Sequence, residues 1–235
     1  MLTVGGLNVY IQASHILRDV MLEVGERELV CLVGRNGAGK TTTLRSIMGY
    51  LKPASGRIEF KGQSLVGLRT HAIVSLGLGF SPEDTGVFGD LTVAENIEIS
   101  TWTRSSSRPG AERVAGAYAV FPQLRDYAAR GGTQLSGGER KMLSIARALA
   151  LDPEMLLLDE PFEGLSPPII PTINDGIAEI TRRGHSVLLA ESNIHHVPEY
   201  ASRLYVIERG EIVFAGKLQE ALQNANVLRI IGGAA

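Results

Sequence analysis

The sequence predicts an α/β fold on a largely parallel sheet, with an antiparallel β portion near the N-terminus and an inserted helical segment. Three observations carry this. Short apolar runs alternate with longer helical stretches, the pattern of parallel strands joined by helices. The runs, at residues 29–33, 78–80, 155–158 and 186–190, are rich in leucine and β-branched residues and each meets a polar or glycine-containing turn, as strands buried on both faces do. Between residues 92 and 150 the strand signal gives way to helical periodicity.

Residues 204–207 and 211–214 flank Arg209-Gly210, which reads as a two-residue hairpin turn with the glycine at positive φ. Ser105-Ser106-Ser107-Arg108-Pro109-Gly110 interrupts the helical stretch as a solvent-exposed loop. The tail from Gly232 to Ala235 is small and expected to fray. With no internal repeat or long low-complexity tract, residues 1–235 read as a single domain with two lobes, a core lobe of about 1–91 and 151–235 and a helical subdomain of about 92–150.

A chain of 235 residues, 44% hydrophobic and 20% charged, can bury a sizeable core. A net charge of -2 gives no electrostatic footprint for nucleic acid, so none is expected as a partner. The one cysteine, Cys31, lies in an apolar run and reads as a buried, reduced thiol, which suits the cytosol. No charged-then-apolar leader is evident, and no apolar stretch approaches the ~20 residues that span a bilayer. Any membrane connection is expected to come through a partner.

Gly34-Arg35-Asn36-Gly37-Ala38-Gly39-Lys40-Thr41 fits GxxxxGK[ST] and stands between an apolar strand and a helical segment, the context a phosphate-binding P-loop requires. The glycines let backbone N–H groups converge on phosphates, Lys40 supplies a cation near the β and γ groups, and Thr41 offers a hydroxyl to Mg2+; Thr42 follows in the same turn. The bland alternative is a Gly-rich strand-to-helix turn. Met155-Leu156-Leu157-Leu158-Asp159-Glu160 is an apolar strand ending in two acids, where open α/β sheets place their ligands. After a P-loop it reads as a Walker B strand, with Asp159 on the metal and Glu160 orienting or polarising the attacking water. Alone it could be a strand meeting a polar loop.

Leu135-Ser136-Gly137-Gly138-Glu139, followed by a helical stretch, resembles the LSGGQ signature of ATP-binding cassette (ABC) ATPases. Physically it repeats the P-loop device, small residues at a helix N-terminus whose N–H groups suit an anion; taken in isolation, Ser136 could instead be a helix cap. The resemblance covers essentially the whole chain and is closest to the shorter ATPase of branched-chain amino acid uptake transporters. It rests on Ser81-Pro82-Glu83 through Phe88, on Leu91-Thr92-Val93-Ala94-Glu95-Asn96, on Phe121-Pro122 to Leu124, and on Gly164-Leu165-Ser166-Pro167. The chain also ends just after the closing hairpin and a short helix.

The resemblance implies an ATPase of a membrane transporter, working with ATP and Mg2+ as a head-to-tail pair of ATPase subunits. Ser136, Gly137 and Gly138 of one subunit would reach the γ-phosphate held by the other's P-loop. Transmembrane permease subunits, and through them a periplasmic solute-binding protein, are the further partners implied, at the cytoplasmic face of the membrane. Glu83, which stands where a glutamine is common, is implied in carrying nucleotide state to the permease and joins Thr41 and Asp159 as a candidate metal ligand; otherwise it is a solvated loop acid.

Three positions depart from the pattern. The adenine-stacking aromatic falls at Ile11, with Tyr10 one residue early, so Tyr10 is either that residue or a core tyrosine. Phe162 replaces a small hydroxyl residue, which bears on dimer packing. Ser192, in Ala190-Glu191-Ser192-Asn193, occupies the place of a switch histidine, or of a glutamine in near relatives; it either serves the γ-phosphate or merely ends the strand. His195 and His196 beyond it read as helix-surface residues. Import of amino acids is the leading function. Lipid or lipopolysaccharide export, and a non-transport cassette clamp, are the alternatives.

Overall fold

The computed structural model describes residues 1–232. Of the tail expected to fray, Gly232 closes the last helix and residues 233–235 lie outside the described residues. Packing divides the chain into two units, Met1–Ile73 with Ser186–Ala235, and Val74–His185. The second unit therefore holds the strands at residues 78–81 and 155–159 together with the helical stretch.

The chain begins with an antiparallel pair, β1 (Leu2–Ile11) and β2 (Ser14–Val24). Leu2, Val4, Leu7 and Val9 of β1 are buried, as are Leu17, Val20, Leu22 and Val24 of β2. The spacing of two in each set is broken once, where the register shifts and where Gly6 (φ 59) and Asp19 (φ 50) take left-handed conformations. A bulge on each strand keeps both apolar sets facing the core across the break. β3 (Leu29–Val33) is buried along its whole length, and α1 (Lys40–Ile47) follows it. β4 (Ser55–Phe60) pairs with β1 and β5 (Gln63–Ser64) with β4, giving an antiparallel sheet in the order β2-β1-β4-β5. α2 (Thr70–Ser75) carries the chain across the unit boundary.

In the second unit, β6 (Leu78–Ser81) runs parallel to the later β7 (Met155–Asp159), with Leu78 opposite Met155 and Ser81 opposite Leu158. Between them come α3 (Val93–Thr103), α4 (Gly110–Val120), 3-10 turns at Pro122–Arg125 and Gly132–Gln134, and α5 (Gly137–Ala150). α3 and α4 pack on α5. α3 opens on a reciprocal cap, Glu95 N–H to Thr92 Oγ1 (3.2 Å) and Thr92 N–H to Glu95 Oε2 (2.8 Å). The serine-rich loop between α3 and α4 is tied down rather than free. Asp152 accepts from Ser106 Oγ at 2.5 Å and from Arg108 Nη1 at 2.9 Å, because its carboxylate lies beside the loop. α6 (Ile169–Arg182) buries Ile173, Gly176, Ile177 and Ile180, one helical face; a Cβ at Gly176 would lie 2.3 Å from the Phe121 ring.

The chain then returns to the first unit with β8 (Ser186–Glu191), β9 (Arg203–Glu208), β10 (Glu211–Gly216), α7 (Leu218–Gln223) and α8 (Ala225–Gly232). β3 lies between β8 and β9 and is parallel to both, while β9 and β10 form an antiparallel hairpin. Its turn is the predicted Arg209-Gly210, with both residues at positive φ (50 and 85), the twist that suits a two-residue hairpin. Val33 stands opposite Glu191, so the ends of β3 and β8 are level. Cys31 is a buried free thiol, its pKa pushed far up by burial and then by the charge of Glu191.

Candidate nucleotide site

In the first unit the P-loop curls from Val33 to Lys40. Its turns are pinned from both sides: Gly34 N–H donates to Glu191 O (3.1 Å), Gly210 N–H donates to Ala38 O (2.9 Å), and Ala38 N–H closes back on Arg35 O (2.9 Å). A Cβ at Gly34 would lie 2.3 Å from the carbonyl oxygen of Ile207. At Gly39, which caps α1 with φ 116, a Cβ would lie 2.7 Å from Leu17. A side chain is therefore excluded at Gly34 by a neighbouring backbone oxygen and disfavoured at Gly39 by the left-handed backbone.

Lys40 is 3% exposed. Its Nζ donates to Gly34 O (2.7 Å) and Arg35 O (3.2 Å), so the ammonium lies inside the curl. Thr41 and Thr42 sit half-buried in the first turn of α1, and Thr43 Oγ1 donates to Gly39 O (2.9 Å). A buried cation beside the N-terminus of α1 has the charge and dipole that suit an anion.

A cavity of about 510 Å³ opens at this loop. Arg35, Asn36, Gly37 and Ala38 line it together with Ser192, Arg209 and Ile230 of α8. Ser192 thus faces the P-loop cavity, placed there by the level ends of β3 and β8. Arg209 and Ile230 were not foreseen as site residues; Arg209 was legible only as a turn, and nothing in the sequence points to Ile230. The expectation that His195 and His196 are both surface residues of a helix needs correcting for His196. They lie in a short 3-10 turn, Ile194–His196; His195 is exposed, whereas His196 Nδ1 lies 3.4 Å from Oε2 of the fully buried Glu191. That hydrogen bond outweighs partial burial and holds the His196 pKa above the ordinary imidazole value.

Tyr10 is 48% exposed, so it is not a core tyrosine. Its ring stacks on His15 (centroids 4.2 Å apart, planes within 7°), and His15 Nε2 lies 3.0 Å from Asn8 Oδ1. Neither Tyr10 nor Ile11 lines the P-loop cavity.

In the second unit β7 delivers Asp159, 1% exposed, and Glu160, 4% exposed, at its carboxyl end. Glu160 has φ 45, a left-handed conformation uncommon outside glycine. Phe162 is 2% exposed and serves the chain's own core. Ser136 caps α5: Glu139 N–H donates to Ser136 Oγ (3.3 Å), and Ser136 N–H donates to Glu139 Oε2 (2.7 Å). Burial raises the Glu139 pKa, but the hydrogen bonds from Ser136 and the charge of Arg130 outweigh it and leave the carboxyl below its usual range. Capping uses Ser136 Oγ as an acceptor, so its hydroxyl hydrogen can still be donated.

The two glycines after Ser136 differ. A Cβ at Gly138 would lie 2.7 Å from Ile169, whereas one at Gly137 would meet nothing within 4 Å. Packing within the chain explains Gly138 and leaves Gly137 open to an approach from outside. Glu83 is exposed, with its backbone oxygen accepting from Lys141 Nζ (3.0 Å).

P-loop, acid-tipped β7 and signature helix together define an ABC ATPase. The chain belongs to this family: the family model "ABC transporter" matches residues 17–163. The high-affinity branched-chain amino acid transport ATP-binding protein BraG of Pseudomonas aeruginosa is 38% identical over 228 residues, covering 97% of each chain. The lipopolysaccharide export system ATP-binding protein LptB of Haemophilus influenzae is 32% identical, covering 99% of this chain and 97% of that one. Among solved structures, the ADP conformation of MJ1267, an ATP-binding cassette of an ABC transporter, superposes with a TM-score of 0.87 at 24% identity, covering 100% of this chain and 99% of that one. Among the described residues no helix is long and apolar enough to cross a membrane.

Proposed function

We propose that this chain is the motor subunit of a membrane importer for branched-chain or other amino acids, lying at the cytoplasmic face of the membrane against permease subunits. The observation that favours import is the 38% identity to BraG across 97% of both chains. Similarity to LptB keeps export of a lipid or lipopolysaccharide as the second reading.

In this reading Lys40 and the amides of residues 37–42 hold the β and γ phosphates. Thr41 and Asp159 supply hard oxygen donors of the kind Mg2+ takes, one or two from protein with the rest from phosphates and water, and Glu83 stands by as a further carboxylate. Bound Mg2+ would neutralise charge on the phosphates. Glu160 orients the attacking water and takes its proton. Ser136, Gly137 and Gly138 present the N-terminus of α5 to the nucleotide of a second, head-to-tail subunit. The open space around Gly137 supports this, since a glycine near a helix start costs stability and here does no packing of its own.

The test is to purify the chain with the membrane-spanning subunits that copurify with it and measure ATP hydrolysis in vesicles. Stimulation by a solute-binding protein loaded with leucine, isoleucine or valine supports import. Stimulation by lipopolysaccharide instead favours the second reading.

Ser192 gives a prediction within this function. A serine hydroxyl has less reach than an imidazole, so it serves a γ-phosphate through a bridging water, and Glu160 carries the larger share. Ser192→Ala is expected to slow turnover by less than about tenfold, equivalent to about 1.4 kcal/mol. Ser192→His should match or raise the parent rate. Turnover of the two variants in the reconstituted transporter checks this, and a loss of several orders of magnitude in Ser192→Ala would make the hydroxyl a principal catalytic group.

A further inference from the structure

The segment that joins β6 to α3 is held differently along its length. Its far end is fixed by Asn96, which is fully buried. Asn96 Oδ1 accepts from Phe88 N–H (3.0 Å), and its Nδ2 donates to the carbonyls of Phe88 (2.9 Å), Leu91 (3.1 Å) and Thr92 (3.0 Å). The preceding stretch, residues 83–87, contains two successive left-handed residues, Thr85 (φ 65) and Gly86 (φ 55), and for threonine that conformation is unfavourable unless the surroundings impose it.

Two cations from α5 meet this stretch. Lys141, 4% exposed, donates from Nζ to Glu83 O at 3.0 Å. Arg147, in the last turn of α5, donates from Nη1 to Gly86 O and lays its guanidinium over the Phe88 ring, 4.6 Å from the centroid. At 1.5 Å per residue the two grips are about 9 Å apart along the helix. Arg147 Nε is buried with no hydrogen-bond partner, and its guanidinium makes no ion pair among the described residues. An apolar side chain would fill the same space without burying a charge. The geometry instead uses the charge to hold a carbonyl and an aromatic face.

We propose that Lys141 and Arg147 are positioning residues through which α5, the helix that begins at Ser136, sets the backbone of residues 83–88, so that the Glu83 loop follows the state of the signature motif. This rests on the reading of Ser136, Gly137 and Gly138 as phosphate contacts. Neither cation touches nucleotide in that reading. Their effect is on where the loop sits.

The experiment uses the full chain and three variants, Arg147→Met, Arg147→Lys and Lys141→Met, with hydrogen exchange, MgATP affinity and turnover measured on each. Arg147→Met is expected to speed exchange of the amides at 84–88 about tenfold, the loss of one charge-assisted hydrogen bond, while amides at 137–139 keep the parent rate. Turnover should fall about fivefold or more with MgATP affinity unchanged. Arg147→Lys, which keeps the charge and a donor, should recover most of both effects, and Lys141→Met should loosen residues 83–85. Parent-like exchange at 84–88 in Arg147→Met overturns the proposal. So does a loss of turnover, affinity and melting temperature together that lysine does not rescue. A parent chain that fails to hydrolyse ATP strikes at the proposed function alone, and the exchange rates still decide the clamp.

Discussion

Glu160→Gln should retain MgATP and lose hydrolysis. The carboxylate follows β7 directly, at 4% exposure and φ 45, and glutamine has the same shape and the same backbone cost there. What changes is chemical: the amide can orient a water but cannot take its proton. Removing a general base costs about 10²–10⁴ in rate. In the proposed head-to-tail pair, nucleotide that is bound and not consumed should hold two chains together, since a ligand that bridges an interface stabilises the dimer by mass action. Light scattering of the variant should show a doubled mass with MgATP and the single-chain mass without it. The same substitution in the permease-bound transporter covers the case of weak dimerisation by the isolated subunits. Undiminished turnover would remove Glu160 from the chemistry.

The parts most legible in the sequence were those with one physical cause. β3, β7 and β8 are buried on both faces, so their composition alone marks them as strands. The P-loop was legible because its glycines, lysine and threonine are required at fixed spacing by the curl itself. β1 and β2 are longer, yet a period-two pattern does not run through them. Leu2 and Val4 fall on one parity and Leu7 and Val9 on the other, because bulges at Gly6 and Asp19 reset the face. A rule that counts alternate residues cannot see a register shift that only the pairing defines.

The site was legible in kind more than in contacts. Ser136 had two readings, helix cap and phosphate contact, and the capping geometry satisfies the first without spending the hydroxyl hydrogen that the second needs. Tyr10 could be read as an aromatic near an adenine site but not as one stacked on His15, because that contact depends on the pairing of β1 with β2. His196 looked like a surface residue because its partner, Glu191, is a strand end that sequence alone leaves without a side-chain direction. The same limit applies to Lys141 and Arg147, whose positions in an amphipathic helix say only that they border its polar face.

Lys40→Ala is expected to have the other large effect, and to differ from Glu160→Gln by weakening binding as well as chemistry. The ammonium is 3% exposed and is held by Gly34 O at 2.7 Å and Arg35 O at 3.2 Å, so it is the buried cation of the loop. Alanine leaves the backbone of the loop in place and removes the charge proposed above to face the β and γ phosphates. A hydrogen bond to a charged group contributes about 1.5–3 kcal/mol, so MgATP should bind at least about tenfold more weakly. Negative charge builds on the leaving β-phosphate as the β–γ bond loosens in the transition state, so loss of a pre-organised cation should lower turnover by about a hundredfold or more at saturating MgATP. Two carbonyls also lose their donor. Lys40→Met keeps the stem in the curl but, like alanine, gives those carbonyls no donor, so it should recover only the packing part of any lost thermal stability and should not restore hydrolysis. Titration with a fluorescent ATP analogue and a turnover assay on both variants check this. Parent-like turnover in Lys40→Ala would refute the assignment of this loop as the phosphate cradle.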